Sequence, residues 1–470
     1  MTEEYDLIII GSGSGNSLID ERWEHQKVAI VDGGTFGGTC LNFGCIPTKQ
    51  YVYPATLAYE TTHMQRLGVQ AELVNVSWKQ MRDRIFTRID AISEGGLNYR
   101  KTLDHVTVIE EYAHFVDTHT LQTDSGRQLH APKIVIAAGS HTTIPENIDG
   151  VNSPLVHTSD TIMRIEKLPQ SLIIIGGGFI AAEFAHVFSS LGTEVTQLHR
   201  SETLLRGADE LISERFEYNA RKQWSVYTNT PVHAIETDEN AQQVTVRAEH
   251  EGEEKNFNAE LVLLAVGRTP NSASLNLKDA GYDVLDGGFL AVDQYQRALS
   301  KGKVVEGVFA LGDISSPWML KHVANAQMRA VQHNLWASED LHSAEDNIVP
   351  AAVFTHPQIA SVGLTEKQAM QRAEEEGFNI VTKIQKYGDT AYGWAMEDDE
   401  GFVKLIARTD TAELLGAHIM GAEASLLIQP LIQAMSFGQD VRTLARGQYW
   451  IHPALTEVVE NAILGLELHA

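Results

Sequence analysis

The sequence predicts an α/β protein with two nucleotide-binding domains, the second inserted in the first, and an α+β region at the end. Three observations carry this. A glycine-rich turn lies between apolar runs within residues 5–32, the pattern returns at 171–200, and the chain from 346 onward lacks it. Each glycine unit reads strand, turn, helix, strand, so both are expected as Rossmann-like, three-layer ββα domains.

In the first unit YDLIIIGSGSG runs into the turn, and KVAIVD ends in an acid 19 residues after Gly13. Gly11 and Gly13 let the backbone approach a pyrophosphate at a helix N-terminus, and Asp32 is placed for ribose hydroxyls. Asn16 stands where the pattern expects its third glycine. A purely structural glycine turn is the alternative.

The second unit, SLIIIGGGFIAAEFAHVFSSLGTEVTQLHR, carries Gly176, Gly178 and Ala181. Its second strand ends in His199-Arg200, with Arg206 six residues further on, where an NAD site would have an acid. Guanidinium groups fork onto a 2′-phosphate that an acid would repel, so this reads as an NADPH site. Solvated surface arginines are the bland alternative.

Two glycine-ended apolar runs, KIVIAAGS (Gly139) and ELVLLAVGRTP (Gly267), flank that unit. VEGVFALGDI then ends in Gly312-Asp313, where open α/β sheets place ligand-contacting loops. The expected divisions are 1–150 and 151–270 for the two nucleotide domains, 271–345 for the return to the first, and 346–470 for an interface region. That last region holds strand runs FVKLIAR and LLGAHIMG. In YWIHPALTEVVENAILGL, Pro453 is expected to start a helix with apolar residues at 455, 458, 459 and 463.

The net charge of −26 argues against nucleic acid or anionic lipid as partner, and any anionic ligand needs local positive groups. No apolar run approaches the roughly 18 residues of a membrane span. The acidic start MTEEYD is unlike a signal peptide, so a cytoplasmic protein is expected.

Both cysteines of the 470-residue chain fall in GGTCLNFGCIPTK, residues 37–49. Structural zinc needs four N or S ligands, and no second cysteine pair or HxxxH lies nearby, so no metal is expected. A staple over so short a loop would stabilise little. In an ideal helix residues i and i+5 lie about 8–9 Å apart, beyond the roughly 5.5–6 Å of a disulfide. Gly44 and Pro47 loosen the helix start, so Cys40 and Cys45 are expected as a strained, reducible pair. The helix N-terminus and Lys49 favour a thiolate there. Nicotinamide delivers hydride and reacts poorly with disulfides directly, so a flavin in the first site is the expected relay.

GGTCLNFGCIPTK, GGGFIAAE, AVGRTPN, FALGDI, VFTHPQIASVGLTE and HPALTE occur in this order. Over essentially its whole length the chain thereby resembles the class I pyridine nucleotide–disulfide oxidoreductases. The resemblance implies FAD bound through Gly11, Gly13, Asp32, Thr39, Ala113, Gly139 and Asp313, and NADPH at the second unit with Gly267 among the cofactor contacts. It implies that Cys40 attacks the substrate disulfide while Cys45 faces the flavin, with Lys49 and Glu183 paired beside it. It further implies that His452, oriented by Glu457, is the acid–base residue contributed by the other subunit of a homodimer. Phe179 departs from the pattern: the aromatic ring is kept, but the tyrosine hydroxyl of the glutathione-reducing members is absent.

Within the family, GSGSGNSLIDER, CIPTKQYVYPA and GFIAAEFAHVF look most like the mycothione reductases. The implied role is NADPH-dependent reduction of mycothione, a small-molecule disulfide, in cell redox homeostasis. The alternatives are a glutathione-disulfide reductase and an NAD-linked dihydrolipoamide dehydrogenase subunit of a 2-oxo acid dehydrogenase complex.

Overall fold

The computed structural model describes residues 1–344 and 348–468. The expected division at 345/346 falls outside the described residues. Leu7–Ile10 and Val28–Val31 are runs of four buried apolar residues, the signature of strands covered on both faces. They lie inside a six-stranded sheet ordered Arg297–Ser300, Lys303–Ala310, Lys133–Ile136, Leu7–Ile10, Val28–Val31, Val106–Ile109. The chain therefore leaves this sheet after Ile136 and returns to it at Arg297–Ser300, which pairs antiparallel with Lys303–Ala310; that strand in turn pairs in parallel with Lys133–Ile136. A four-stranded sheet built from residues 2–4 and 113–130 covers one face around Phe115, Leu121 and Leu129. The other face packs on Trp23, Phe36, Val331 and Leu335.

The inserted unit repeats this layering. Five parallel strands run in the order Val156–Thr158, Leu261–Leu264, Ser171–Ile175, Glu194–Leu198, Ser225–Tyr227. The antiparallel strands Val232–Asp238, Gln243–His250 and Glu253–Ala259 cover one face. Helices Phe179–Ser190 and Glu210–Gln223 contribute to the apolar core on the other. The two connections between units pair with each other, Arg268–Pro270 running antiparallel to Ser140–Thr142. The expected single run ELVLLAVGRTP is therefore two strands, broken at Gly267, whose φ is +134°.

The final region is a five-stranded antiparallel sheet, Ala351–Val353, Gln358–Gly363, Leu414–Gly421, Phe402–Arg408, Ile380–Lys386, with its own helix-covered core.

Two local expectations are corrected. No α-helix follows the first glycine turn: Ser14–Leu18 and Glu21–Trp23 are short 3-10 turns. Asp20 separates them, because it is extended and its side chain caps Arg22. The last helix spans Glu457–Leu464, so Pro453 precedes it by a turn instead of starting it. Val458, Val459 and Ile463 are buried as the pattern requires, and Leu455 packs against the same core.

Candidate active site

The two cysteines lie on either side of a helix break. Cys40 is in Gly38–Asn42, and Cys45 opens the helix Cys45–His63. Phe43 closes the first helix through its N–H on the Thr39 carbonyl, and Gly44 (φ −130°, ψ −117°) turns the chain before Cys45. Pro47 then sits in a first turn, where its missing N–H costs nothing. The break brings the cysteines together as two free thiols in hydrogen-bond contact.

That contact divides their acidity. The Cys40 hydrogen bond to Cys45 is the largest influence on it; against the opposing effect of burial, and aided by Lys49 and Lys321, it brings Cys45 down to about 7. Cys40 is pushed up by donating to Cys45 and by burial. The structure thus assigns the proton to Cys40 and the thiolate to Cys45. Lys49 Nζ lies 2.6 Å from Glu183 Oε2 and 4.5 Å from the Phe354 ring centroid. Glu183 Oε1 accepts the Phe354 N–H at 2.9 Å. One carboxylate on the inserted unit's helix therefore ties the cysteine helix to the C-terminal sheet. Tyr51, Val52 and Ala55 share a buried core with Phe184 and Phe188, which fixes the two helices against each other.

The first glycine turn abuts this pair. Gly38 has φ +72°, and a Cβ there would lie 2.8 Å from Gly13 Cα, so neither chain could approach as closely with a side chain. Asp32 Oδ2 accepts from the Ser12 N–H and hydroxyl (2.8 and 2.5 Å), and Oδ1 from the Gly34 N–H (2.8 Å). A carboxylate offers about four acceptor positions, so one remains for a ribose hydroxyl. Thr39 lies beside Cys40 in its short helix, and Ala113 begins the strand Ala113–Asp117. Above Gly139 a Cβ would meet nothing within 4 Å. Asp313 accepts the Ser140 hydroxyl at 2.6 Å, and Arg268 Nε holds the same hydroxyl at 2.9 Å. Next to Asp313 the buried hydroxyls of Ser315 and Ser316 have no hydrogen-bond partner. Open space, a spare carboxylate position and orphaned hydroxyls fit a bound flavin dinucleotide.

Around the second turn Gly178 caps Phe179–Ser190, with nothing within 4 Å of its Cβ direction, and Ala181 is fully buried as a packing residue. Gly267 is open in the same sense, its nearest atom being Thr143 Oγ1 at 4.0 Å. Phe179 is exposed. Among the described residues no ion pair engages Arg200 or Arg206. Burial, then the charges of Arg206 and Arg200, hold His199 below its usual value, so the imidazole adds no competing cation. Two uncommitted guanidinium groups beside a glycine turn fit a 2′-phosphate.

His452 and Glu457 are brought to each other, Nδ1 to Oε1 at 2.6 Å, with Glu457 held below the usual carboxylate range chiefly by that bond. The His452 side chain is 72% exposed, and among the described residues no hydrogen bond or ion pair joins it to the cysteines.

Sequence reasoning missed Lys321. It opens the helix Lys321–Asn334, donates to Ser14 Oγ at 2.8 Å, and its charge lowers both thiols. Its only signal was position, seven residues beyond Ile314 in a loop leading from GDI into a helix. One further group could geometrically hold a metal ion, His333, Asp340 and His342, at the far end of that helix. Two of its members are exposed, and His333 Nε2 already contacts the Asp340 carbonyl at 2.9 Å.

The pyridine nucleotide-disulphide oxidoreductase family matches residues 5–330, and its dimerisation domain matches residues 349–463. Mycothione reductase of Mycobacterium tuberculosis is 50% identical over 475 residues, covering 99% of this chain and 100% of that protein. Dihydrolipoyl dehydrogenase of Synechocystis is 31% identical, covering 98% of each. Among solved structures, the HOCl-induced flavoprotein disulfide reductase RclA from Escherichia coli is similar with a TM-score of 0.83 and 26% identity, over 98% of this chain and 100% of that one.

Proposed function

The chain belongs to the pyridine nucleotide-disulphide oxidoreductase family, and from that premise we propose that it reduces mycothione to mycothiol with NADPH, as a cytoplasmic homodimer with shared active sites. It is an FAD-containing disulfide oxidoreductase. The observation that carries the substrate is the 50% identity to a mycothione reductase along the whole chain. That the chain has two cysteines, both in the redox pair, and so no structural disulfide framework, supports a reducing compartment. The sheet memberships support functional units at 1–150 and 271–345 for FAD, 151–270 for NADPH and 346–470 for the subunit interface.

FAD, when bound, supplies a two-electron acceptor between NADPH hydride and a disulfide. Gly11, Gly13, Asp32, Thr39, Ala113, Gly139 and Asp313 would hold it; Gly176, Gly178, Ala181, Gly267, Arg200 and Arg206 would hold NADPH. The protonated Cys40 gives its proton to His452 of the partner subunit and attacks one sulfur of the substrate. A Cys40–substrate disulfide forms, and the first thiolate leaves with the proton returned from His452. The Cys45 thiolate then attacks Cys40 Sγ, and the second thiol departs with a proton from solvent. One substrate disulfide becomes two thiols, and two cysteine thiols become one disulfide. Glu457 orients the imidazole, and Lys49, held in place by Glu183, stabilises the negative charge at Cys45.

Dihydrolipoyl dehydrogenases are also relatives, but the uncommitted Arg200 and Arg206 favour NADPH over an NAD-linked role. Turnover with mycothione, glutathione disulfide and lipoamide, each with NADPH and NADH, is the deciding measurement. Mycothione with NADPH is expected to give the highest kcat/KM, and a preference for lipoamide with NADH would overturn the proposal.

A further inference from the structure

A buried ion cluster joins the inserted unit to the C-terminal sheet. Lys404, in the strand Phe402–Arg408, has a 4% exposed side chain, and its Nζ lies 2.6 Å from Asp209 Oδ1 and 2.7 Å from Glu366 Oε2. Asp209 is 1% exposed. Its Oδ2 accepts the Glu366 N–H at 3.0 Å, and its Oδ1 caps the helix Glu210–Gln223 through the Leu211 N–H at 3.2 Å. His418 faces the same cluster and is held below its usual value by burial, so it adds no cation. Apolar residues of similar volume often serve stability as well as a buried ion pair does. What such a pair adds is a fixed, directional contact between two regions that otherwise meet through apolar side chains.

That contact lies at one end of the loop that carries the arginines. Arg206 is three residues before Asp209. The Ser213 hydroxyl and the Ala208 N–H both donate to the Leu205 carbonyl (3.0 and 2.8 Å), and the Leu205 N–H donates to the Gly177 carbonyl at 2.8 Å. Leu205 is held at φ +50°, a left-handed conformation that a branched residue keeps only when its surroundings impose it. The loop is thus pinned to the glycine turn on one side and to Lys404 on the other.

We infer that Lys404 is a positioning residue for nucleotide selection: through Asp209 it holds the Arg206 loop where a guanidinium meets the 2′-phosphate of a nucleotide lying on the Gly176–Gly178 turn. This rests on the reading of Arg200 and Arg206 as 2′-phosphate ligands. The selecting residue and the one that places it lie in different parts of the chain, about 200 residues apart.

The test is calorimetric binding of 2′,5′-ADP and of 5′-ADP to the holoenzyme and to four folded variants, R206A, K404M, K404R and D209N. K404M is expected to weaken 2′,5′-ADP about tenfold and 5′-ADP by less than about twofold, the scale on which a small misplacement acts. NADPH KM rises in parallel at unchanged kcat, and K404R, whose charge reaches both carboxylates, restores binding. D209N keeps a cap for the helix but loses the charge, and is read by the same criteria if K404M does not fold. If R206A loses 2′,5′-ADP while K404M and D209N bind it normally, the inference is overturned and the arginine reading stands. Equal losses for both nucleotides also overturn it, because they mark general loosening. Normal 2′,5′-ADP binding by R206A overturns the arginine reading and the inference together.

Discussion

The two glycine turns share a sequence pattern and a sheet position, yet they are built differently. After Gly178 the chain forms a continuous helix, Phe179–Ser190, buried along most of its length. After Gly13 it forms two 3-10 fragments, and the returning helix Lys321–Asn334 supports them: Lys321 bonds Ser14, and Gln332 bonds Ser17 and Asp20. The second unit is local in sequence, closed between residues 156 and 264. The first is completed only when strand Lys303–Ala310 and the helix after it come back. The unit that adjoins the redox pair therefore depends on distant chain, whereas the unit that selects the nucleotide carries its own helix.

The largest effects should separate the two turns. A Cβ at Gly11 would lie 2.3 Å from the Ala137 carbonyl oxygen, and one at Gly176 would lie 2.2 Å from that of Ala265. Both clash with backbone, so each substitution must displace its own turn. Gly11→Ala should yield protein without flavin absorbance and with turnover reduced more than about 100-fold, while Gly176→Ala keeps the flavin and slows its reduction by NADPH by a similar factor. Flavin stoichiometry and stopped-flow reduction check this. Flavin retained in Gly11→Ala, or lost in Gly176→Ala, would break the division of labour.

This contrast also explains what was legible. The second unit was readable because its signals are contiguous: apolar strand, three glycines, buried stripe, basic end. The cysteine break was readable from Gly44 and Pro47, which punctuate locally. The missing first helix was not, since Asp20 had to be recognised as a cap and its place is taken by residues some 300 positions away. Lys321 and Lys404 were invisible for the same reason. A lysine gains its meaning from what the fold sets beside it, and nothing in SSPWMLKH or GFVKLIAR announces a thiol or a buried aspartate.

A smaller effect should come from Lys321, the one residue of the returning helix whose charge acts on both thiols. Cys45 is an acid, so a depressed value means that its thiolate fraction rises as pH climbs through about 7 and falls below it. Removing a cation destabilises the anion. Lys321→Met should therefore move the midpoint of Cys45 alkylation in the reduced enzyme upward by about 0.5 pH, and lower reactivity at pH 7. Alkylation rate against pH measures this directly. An unmoved midpoint would mean that Lys49 and Cys40 suffice, and that the returning helix supports the turn without tuning the chemistry.

The effect of Asn16 falls on stability instead of on the chemistry, and it discriminates between two explanations of the broken pattern. If Asn16 were a degraded packing glycine, Asn16→Gly would restore the motif and stabilise the unit. The structure gives it a positive role instead: Oδ1 accepts Arg100 Nε at 2.7 Å, and its carbonyl accepts Arg100 Nη2 at 2.5 Å. Arg100 is nearly buried on the helix Trp78–Lys101, and burial lowers it from its usual value. A guanidinium there needs its acceptors. Glycine keeps the carbonyl but removes Oδ1, and it cannot recover the helix because Asp20 still caps a separate turn. Asn16→Gly should thus destabilise by about 1.5–3 kcal/mol, the range for one hydrogen bond to a charged group. A lowered urea midpoint for flavin release would show it, with Asn16→Asp near the parent because it retains the acceptor. A raised midpoint in Asn16→Gly would return Asn16 to the status of a flaw in an ordinary dinucleotide turn, and would remove the main local reason for treating the two units as different.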